Sequence, residues 1–286
     1  MRVCAEIGLS HDSSLGQAHA LVDAVASTGA DMLKAQCHAG DKCSEFRPGT
    51  FFPQDKTRAA YWKRTAFTRE QWKGLANHAH AKNLSFGCSV FSLEGVELLS
   101  GIVDWWKIPS GCVENESLIK AVVSTRLPLV ISSGMSTSTD ALFAVSIARH
   151  YGCNATILQA TSEYPCAPER IGLNVILELQ KWGCEVGLSD HSGQIWPGIA
   201  AAVLGADMLE IHVVTSRHNF GPDVAASITV EELKQLVEGV RFIETAMSNP
   251  VDKDRMAQEL SEMRRIFRNT GTQDSCKPLE SSAGVS

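Results

Sequence analysis

The sequence predicts a (β/α)₈ barrel of the α/β class, and two observations support this prediction. The 286-residue chain contains eight short apolar segments that end in polar or ionisable residues, and an amphipathic stretch follows nearly every one. Such alternation implies parallel strands joined by helical crossovers. A doubly wound open sheet would give the same alternation, but the count of eight favours a closed barrel, which typically needs about 250 residues.

The eight predicted strands read as near-continuous apolar runs, as expected for strands covered on both faces. In chain order they are VCAEI, DMLKAQ, LSFGCS, DWWKIPS, LPLVISS, ATILQATS, EVGLSDH and MLEIH. The first helix is predicted over 15–28, because apolar residues recur there on one face and Gly29 follows. The same pattern predicts helices near 69–81, 93–100, 116–124, 139–151, 173–181, 194–204 and 229–246.

The interval 38–68, between strands two and three, is too long for a tight turn. It contains prolines, glycines, charges and an aromatic cluster, which comprises Phe51, Phe52, Tyr61 and Trp62. Intervals of this length are usually lids or binding loops, and a folded excursion with a structural role is the equal alternative. After the barrel we expect a helix over 254–268 and a flexible tail over 269–286, so that 1–268 form one catalytic domain.

Composition excludes several classes of function. The net charge of −6 gives no basis for nucleic-acid binding, and no apolar run reaches the roughly 18 residues that a membrane span needs. The N-terminal MRVCAEIG enters a strand directly, without the regions of a signal peptide. Nine cysteines without a CxxC pair indicate reduced thiols rather than a disulfide framework. We expect a cytoplasmic protein that binds neither nucleic acid nor membrane.

The polar residues at the strand ends define the expected active site. In a barrel of this class the C-terminal ends of all eight strands converge on one face. The residues that should gather there are Glu6, Lys34, Gln36, Ser89, Lys107, Ser110, Ser132, Ser162, Ser189, His191 and His212.

His191 and His212 end the two last predicted strands, which should lie about 4.8 Å apart. Two neutral imidazoles with open positions suit a borderline divalent metal such as Mn, Fe, Co or Zn. Asp223, in FGPD, or Glu6 could complete the coordination shell. The alternative is that each histidine is a hydrogen-bonded wall residue of the barrel.

Lys34 and Lys107 lie within apolar strands, although lysine is almost never fully buried without a partner. Three interpretations stay open: an ion pair with a strand carboxylate such as Glu6 or Glu210, an anion clamp, or a Schiff-base lysine. The surrounding hydroxyls favour the anion clamp, and they belong to Ser110, Ser132 and Ser189.

Three further residues have more than one chemical interpretation. Glu6 could be a general base, a partner of a lysine, or part of a clamp for a substrate hydroxyl. Gln36 and Tyr164 can both hydrogen-bond sugar hydroxyls, and a structural role is equally consistent with each.

Seven longer segments show a family resemblance. They are AEIGLSHDSSLGQAHALVDAVASTGADMLKAQ, FGCSVFSLEGVELL, WKIPSG, LVISSGMST, TSEYPCAPERIGLNVI, VGLSDHSGQI and LGADMLEIHVV…GPDVAASITVEEL. Taken in order, over residues 4 to about 245, they resemble the sialic acid synthase (N-acetylneuraminate synthase) family. The combination SDH…EIH…GPD in this order is highly specific.

The resemblance implies a condensation in which C3 of phosphoenolpyruvate attacks the aldehyde carbon of an open-chain aldose. Water adds to C2, phosphate leaves, and a 2-keto-3-deoxy sugar acid forms. A divalent metal on His191 and His212 would polarise the aldehyde oxygen. Manganese is the first expectation, with magnesium, cobalt, iron or zinc as alternatives.

The resemblance also assigns the remaining residues. Those that match positions holding phosphoenolpyruvate are Lys34, Ser89, Lys107, Ser110, Ser132 and Ser189. Those that match positions near the metal or the sugar are Glu6, Gln36, Tyr164 and Asp223. We take Glu6, Lys107, Tyr164 and the residue at 112 as catalytic candidates.

The sequence departs from the family in three places. Cys112 stands where the family has a catalytic glutamate, which puts normal turnover in doubt, although Glu114 or Glu116 could substitute. We expect Cys112 to face an open, polar barrel mouth rather than the packed core. Ser162 replaces an asparagine, which should alter contacts with phosphoenolpyruvate.

The third departure is a C-terminal domain resembling antifreeze proteins, which family members add and which this sequence does not reach. Either the substrate does not require that domain, or a separate protein supplies it, or the chain has been shortened. A homo-oligomer is also an expected partner arrangement.

Two other functions stay open beside the condensation. A barrel aldolase would use Lys107 as the Schiff-base nucleophile, and a non-catalytic sugar-binding or partner-binding protein would be consistent with Cys112. Two desolvated lysines argue against the non-catalytic alternative.

Overall fold

The computed structural model describes residues 1–41, 55 and 57–269, and within them the predicted barrel is present and closed. Each parallel strand pairs with the next, and β1 also pairs with β8. The strands are β1 Arg2–Gly8, β2 Met32–Cys37, β3 Ser85–Val90, β4 Trp105–Ile108, β5 Leu129–Ser132, β6 Ala155–Ala160, β7 Glu185–Asp190 and β8 Met208–Val214, with a short β9 Ile228–Thr229 beside β8. Closure confirms the barrel over the open sheet.

Helices follow the strands as the amphipathic pattern predicts. They are α1 Leu15–Ala26, α2 Arg58–Thr65, α3 Arg69–Ala81, α4 Leu93–Leu99, α5 Glu116–Val123, α6 Ser138–His150, α7 Leu173–Leu179, α8 Trp196–Val203, α9 Val230–Ser248, α10 Lys253–Glu259 and α11 Ser261–Asn269. Side-chain caps begin several of them, such as Ser14, which accepts from the backbone N–H of Gln17. None of the described helices has both the length and the apolar character that crossing a bilayer requires.

Two parts of the sequence prediction need comment. The single helix predicted over 254–268 is wrong, because the chain leaves helical geometry at Leu260 and continues as a second helix. The long interval between β2 and β3 contains α2, while Gly49, Pro48, Pro53, Phe51 and Phe52 lie outside the described residues, as does the tail beyond Asn269. The chain divides into two compact units, Met1–Glu244 with the barrel, and a unit that begins at Thr245.

The barrel unit has two apolar cores. The larger one lies between the strands and the surrounding helices, where α1, for example, buries Leu21, Val22 and Val25 against the sheet. The smaller one fills the interior of the barrel and consists of Cys4, Met32, Trp105, Val130, Leu158 and Met208. It closes the barrel below the active face.

Inward-facing side chains recur every second residue along each strand. The first inward positions hold the six residues of the interior core together with Gly87 and Gly187. The second inward positions hold Glu6, Lys34, Ser89, Lys107, Ser132, Ala160, Ser189 and Glu210. The third positions hold Gly8, Gln36, Phe91, Pro109, Gly134, Ser162, His191 and His212, and all of these except Gly8 and Gly134 line the cavity at this face. Phe91, Pro109, Gly134, Ser162 and His191 lie one or two residues beyond the ends of their strands. Each strand therefore passes from apolar packing to polar chemistry within four residues.

Two glycines make room for the largest residues of the interior core. A Cβ on Gly87 would overlap the Trp105 ring, and a Cβ on Gly187 would overlap the backbone carbonyl oxygen of Met208. Backbone atoms cannot move aside as a flexible side chain can, so position 187 tolerates no side chain.

We predict that Gly187→Ala lowers the free energy of unfolding by at least about 2–3 kcal/mol, because the added methyl overpacks the barrel interior. Gly74 lies in α3 with nothing within 4 Å of its would-be Cβ. The matched variant Gly74→Ala should therefore raise stability by about 0.5–1 kcal/mol. Urea unfolding followed by circular dichroism measures both, and equal stability of the two variants would contradict the packing argument.

Candidate functional site

The predicted strand-end residues line one cavity of about 540 Å³ at the C-terminal face of the barrel. Those that line it are Lys34, Gln36, Ser89, Lys107, Ser110, Cys112, Ser132, Ser162, Tyr164, Ser189, His191, His212 and Asp223. Glu6 is the exception: it lies fully buried behind Lys34, with which it forms an ion pair. The structure therefore brings all the candidate residues together, although one of them reaches the cavity through a neighbour.

The floor of the cavity is a network of four buried charges, Glu6, Lys34, Glu210 and Lys107. Lys34 Nζ contacts the Glu6 carboxylate and lies 3.7 Å from Glu210 Oε1. Lys107 Nζ donates to the same Glu210 Oε1 at 3.1 Å. The two lysines and two carboxylates balance, so the ion pairing considered for the lysines is present.

Two serine hydroxyls extend this network. Ser89 Oγ accepts a hydrogen bond from Lys34 Nζ at 2.8 Å, and Ser189 Oγ donates to Glu210 Oε1 at 3.0 Å. Ser132 Oγ, by contrast, is buried on the same level with no hydrogen-bond partner among the described residues. A buried hydroxyl without a partner is costly, so Ser132 is a donor available to a bound ligand.

The pKa values of the two lysines shift in opposite directions. Burial lowers the pKa of Lys107, and repulsion from Lys34 reinforces it, so the pKa stays below its ordinary value despite Glu210. Burial also opposes the charge of Lys34, but attraction by Glu210 and Glu6 outweighs it and raises the pKa. Lys107 is therefore the lysine that loses its proton more readily.

The wall above the floor contains the two histidines. His191 Nδ1 donates to the backbone carbonyl of Thr161 at 2.7 Å, so Nε2 has the lone pair and accepts from the Tyr164 hydroxyl at 3.0 Å. Burial, reinforced by His212, lowers the pKa of His191 to about 3, which keeps the ring neutral. The two imidazole centroids are 5.5 Å apart, and His212 Nδ1 lies 4.0 Å from Asp223 Oδ2.

This wall provides a donor set that suits a borderline divalent metal. Two imidazoles and a carboxylate are ligands that such ions prefer, and a backbone carbonyl that fixes the His191 tautomer is a common support for a ligating histidine. Among the described residues, no three His, Cys, Asp or Glu side chains already converge on one point. The residues present fit a metal if Asp223 moves towards the histidines and the Tyr164 hydroxyl releases His191 Nε2.

A polar space lies beside Gly8, whose backbone has a positive φ of 49°. A Cβ at Gly8 would lie 3.2 Å from Glu6 Oε1, 3.5 Å from Asp223 Oδ2 and 3.5 Å from Gln36 Nε2. Glycine places no side chain here, and Glu6 Oε1 is fully buried with no hydrogen-bond partner among the described residues. Two acceptors and one donor therefore lie within 3.5 Å of one point, and two of their residues, Gln36 and Asp223, also line the cavity.

Several residues that line the cavity are not among those predicted from the sequence, and they include His38, Asp41, Arg58 and Phe91. Period-two alternation provides a signal for His38, which follows Lys34 and Gln36 at the same spacing. Glu210 was considered only as an ion-pair partner, although it precedes His212 by two residues and lies at the centre of the floor.

The helix α2 places aromatic residues at the cavity. Tyr61 and Trp62 line it, which favours the binding-loop interpretation of the long interval. Arg64 fixes the helix, because it donates to Asp12 at 2.7 Å and to both oxygens of Asp55 at 3.0 and 2.7 Å.

The expectation that Cys112 faces an open, polar mouth is wrong. Cys112 is only 6 % exposed and belongs to the apolar core outside the barrel, although it also borders the cavity. The physical reason is the 3₁₀ turn Ser110–Cys112 after β4, in which the Cys112 N–H bonds to the Pro109 carbonyl at 2.8 Å. Of the suggested substitutes, Glu116 is paired with Lys120 at 2.6 Å, and both Glu114 and Glu116 lie away from the cavity.

A larger cavity, of about 720 Å³, lies at the other end of the barrel, but its charged residues are already engaged in the fold. Arg2 pairs with Glu185, Asp31 accepts from Arg241, and Asp104 accepts from the backbone of Phe86. The chemistry therefore favours the smaller cavity as the functional site.

Comparison with known proteins agrees with this assignment. The NeuB family model matches residues 21–252. The chain is 32% identical to N-acetylneuraminate-9-phosphate synthase of Homo sapiens, covering 87% of this chain and 71% of the relative. It is 29% identical to N,N'-diacetyllegionaminic acid synthase of Campylobacter jejuni, covering 90% and 80% respectively.

Among solved structures, the chain resembles an N-acetylneuraminic acid synthetase from Leptospira borgpetersenii in complex with citrate, with a TM-score of 0.80 and 26% identity. The similarity covers 93% of this chain and 92% of that one. A truncated 3-deoxy-D-arabino-heptulosonate 7-phosphate synthase from Thermotoga maritima, at a TM-score of 0.67 and 14% identity, shares the fold.

We predict that Lys34→Met lowers the free energy of unfolding by about 3–5 kcal/mol, because it leaves the fully buried Glu6 carboxylate without a counter-charge. The double variant Lys34→Met/Glu6→Gln removes that charge as well and should recover most of the loss. Urea unfolding of the two variants beside the wild type is the measurement. Equal instability of the single and double variants would show that the ion pair is not the origin of the effect.

Proposed function

This chain belongs to the NeuB family, and we propose that it condenses phosphoenolpyruvate with an open-chain aldose to give a 2-keto-3-deoxy sugar acid and phosphate. The relatives compared above are synthases named for sugar acids of this kind. The acceptor is proposed to be N-acetylmannosamine or a related sugar.

One observation supports this proposal most directly: the cavity has a floor that contains two buried lysines and a separate wall of imidazole and phenol groups. Lys34 and Lys107 lie at the second inward positions, and His191 and His212 lie at the third. A condensation of an anion with a sugar needs both surfaces, because the reacting carbons must be held in contact while charge on the anion is neutralised.

Phosphoenolpyruvate would bind on the floor. Its phosphate and carboxylate would take hydrogen bonds from the two lysines and from Ser132 Oγ, which has no other partner among the described residues. The floor is balanced by Glu210, whose Oε1 bonds to Lys107 and Ser189. An arriving anion must compete with this carboxylate, so we expect Glu210 to give up part of its contact with Lys107.

The sugar would bind against the wall. Tyr164 OH donates its one hydrogen to His191 Nε2, so its oxygen can accept from a sugar hydroxyl placed beside it. Glu6 Oε1 and Gln36 Nε2 lie beside Gly8. When bound, a divalent metal held by His191, His212 and Asp223 would polarise the aldehyde oxygen as a Lewis acid. C3 of phosphoenolpyruvate bonds to the aldehyde carbon, water adds to C2, and the bond from C2 to the phosphate oxygen breaks. The oxygen of the water becomes the keto oxygen, and its two hydrogens end on the former aldehyde oxygen and on the released phosphate.

Cys112 in place of a glutamate would change proton handling at the edge of this site. A thiol ordinarily titrates near pH 8.5 and a glutamate near 4.3, so a formal negative charge is missing at neutral pH. Cys112 is buried against the apolar core. A glutamate at this position would therefore have to bury its carboxylate, which costs free energy. This supports an adapted synthase with its own acceptor.

We predict that the protein releases phosphate from phosphoenolpyruvate only when a suitable aldose is present, with manganese added. Lys107→Met should weaken phosphoenolpyruvate binding by about 2–5 kcal/mol, the range for breaking a buried charge pair. Lys181→Met, at an exposed lysine, is the matched control. Phosphate release across a panel of aldoses and titration calorimetry measure the two effects.

Three outcomes would contradict this function. Unchanged affinity in Lys107→Met would remove that lysine from the anion site. A covalent adduct trapped with pyruvate and borohydride would indicate a Schiff-base aldolase. Burial lowers the pKa of Lys107, and a lysine that loses its proton more readily is a better nucleophile for that reaction. Sugar binding without any phosphate release would indicate a non-catalytic protein.

For the metal, we predict that His191→Ala and His212→Ala each abolish divalent-metal binding while the circular dichroism spectrum is retained. Each variant removes one of two imidazoles on the wall, and His150→Ala, at an exposed helix end, is the control. Metal content of the purified proteins decides the matter. Wild-type stoichiometry in both wall variants would show that these histidines are not ligands.

A further inference from the structure

His38 follows β2 and lines the cavity, with its imidazole held between two aromatic rings. The Trp62 ring lies 4.4 Å away, centroid to centroid, at an interplanar angle of 5°. The Phe91 ring lies 4.1 Å away at an angle of 17°. Two rings that stack this closely on one imidazole must occupy opposite faces, so the plane of the His38 ring is fixed.

Both ring nitrogens of His38 have partners. Nδ1 lies 2.9 Å from the Asp41 Oδ2 atom, and Nε2 lies 3.2 Å from Gln36 Oε1. A carboxylate oxygen and an amide oxygen can only accept, so both contacts are hydrogen bonds when the ring is the imidazolium ion, which has an N–H on each nitrogen. The Asp41 contact orients the ring within its plane, and the Nε2 donor therefore points at Gln36 in a defined direction.

This contact involves only the amide oxygen of Gln36. With its oxygen bonded to His38, its amide nitrogen faces the space beside Gly8, which Glu6 Oε1 and Asp223 Oδ2 also border. A sugar hydroxyl on this side of the cavity can accept from the amide and donate to the Asp223 carboxylate, because Gln36 and Asp223 both line the cavity. If the amide turned over, its oxygen would meet two carboxylate oxygens and the space would repel a hydroxyl oxygen.

We propose that His38 is a positioning residue for the sugar: it fixes the Gln36 amide so that the NH₂ group binds one hydroxyl of the open-chain aldose beside Gly8. The identity of the ligand rests on the proposed function. The floor that would bind phosphoenolpyruvate lies at the second inward positions, so His38 governs the affinity for the aldose alone.

The test uses two variants of His38 and one control. His38→Phe keeps an aromatic ring for the stack and removes both hydrogen bonds, while His38→Gln restores a donor for Gln36. His150→Phe makes the same substitution at an exposed site. In His38→Phe the KM for the best aldose of the panel should rise about tenfold, which corresponds to ~1.4 kcal/mol. The KM for phosphoenolpyruvate should stay within about twofold, and His38→Gln should restore most of the loss.

A double-variant cycle separates positioning from direct contact. Gln36→Ala and Gln36→Ala/His38→Phe should have the same KM for the aldose, because His38 acts through Gln36. If the double variant instead has a KM for the aldose that is raised by the product of the two single-variant factors, His38 binds the sugar itself. A rise in the KM for phosphoenolpyruvate would show a general disturbance of the site. Either result overturns the proposal.

Crystal structures of the wild type and of His38→Phe test the positioning without turnover. The Gln36 amide should point to the space beside Gly8 in the wild type, and it should rotate or lose a single orientation in the variant. An unchanged Gln36 overturns the proposal. If the wild type converts no aldose, the proposed function fails, whereas these two structures still decide whether His38 positions Gln36.

Discussion

The four buried charges on the cavity floor are the constraint on which the rest of the structure depends. Taking charges out of water is costly, and each must be repaid by close partners. Lys34 contacts two carboxylates and Glu210 contacts two lysines. Within the described part of the chain, removal of Lys34 therefore leaves Glu6 without a partner, and removal of Glu210 leaves Lys107 without one. Apolar residues of similar volume would fill the barrel at lower cost. We infer that the charges are retained for an anionic ligand rather than for stability.

Because inward-facing residues alternate along each strand, the same strands contain the apolar core below the floor, the floor itself and the wall above it. The first inward position of each strand is apolar or glycine, the second contains the charges, and the third contains the histidines, Gln36 and Gly8. Because the three levels belong to the same eight strands, a change in the packing around Trp105 or Gly187 would displace the floor and the wall together. The fold and the site are therefore products of one repeating pattern.

The strands and the position of the site could be predicted because both follow from local periodicity and from the convergence of strand ends. Glu210 could not be assigned between the two lysines, since its contact with Lys107 joins residues 103 positions apart and exists only once the barrel closes. Cys112 was misplaced because a short turn, which apolar periodicity does not report, directs it to the core. The break at Leu260 could not be predicted either, because apolar periodicity does not report a local departure from helical geometry. The contact of Arg64 with Asp12 is long-range, like that of Glu210, and was not predictable for that reason.

The most direct test of the central claim is a crystal structure of the protein with phosphoenolpyruvate. The account predicts that phosphate and carboxylate oxygens lie within hydrogen-bond distance of Lys34 Nζ, Lys107 Nζ and Ser132 Oγ, with Glu210 displaced from Lys107. Phosphoenolpyruvate bound elsewhere, or a floor whose ion pairs are unchanged at a saturating concentration of the ligand, would contradict it.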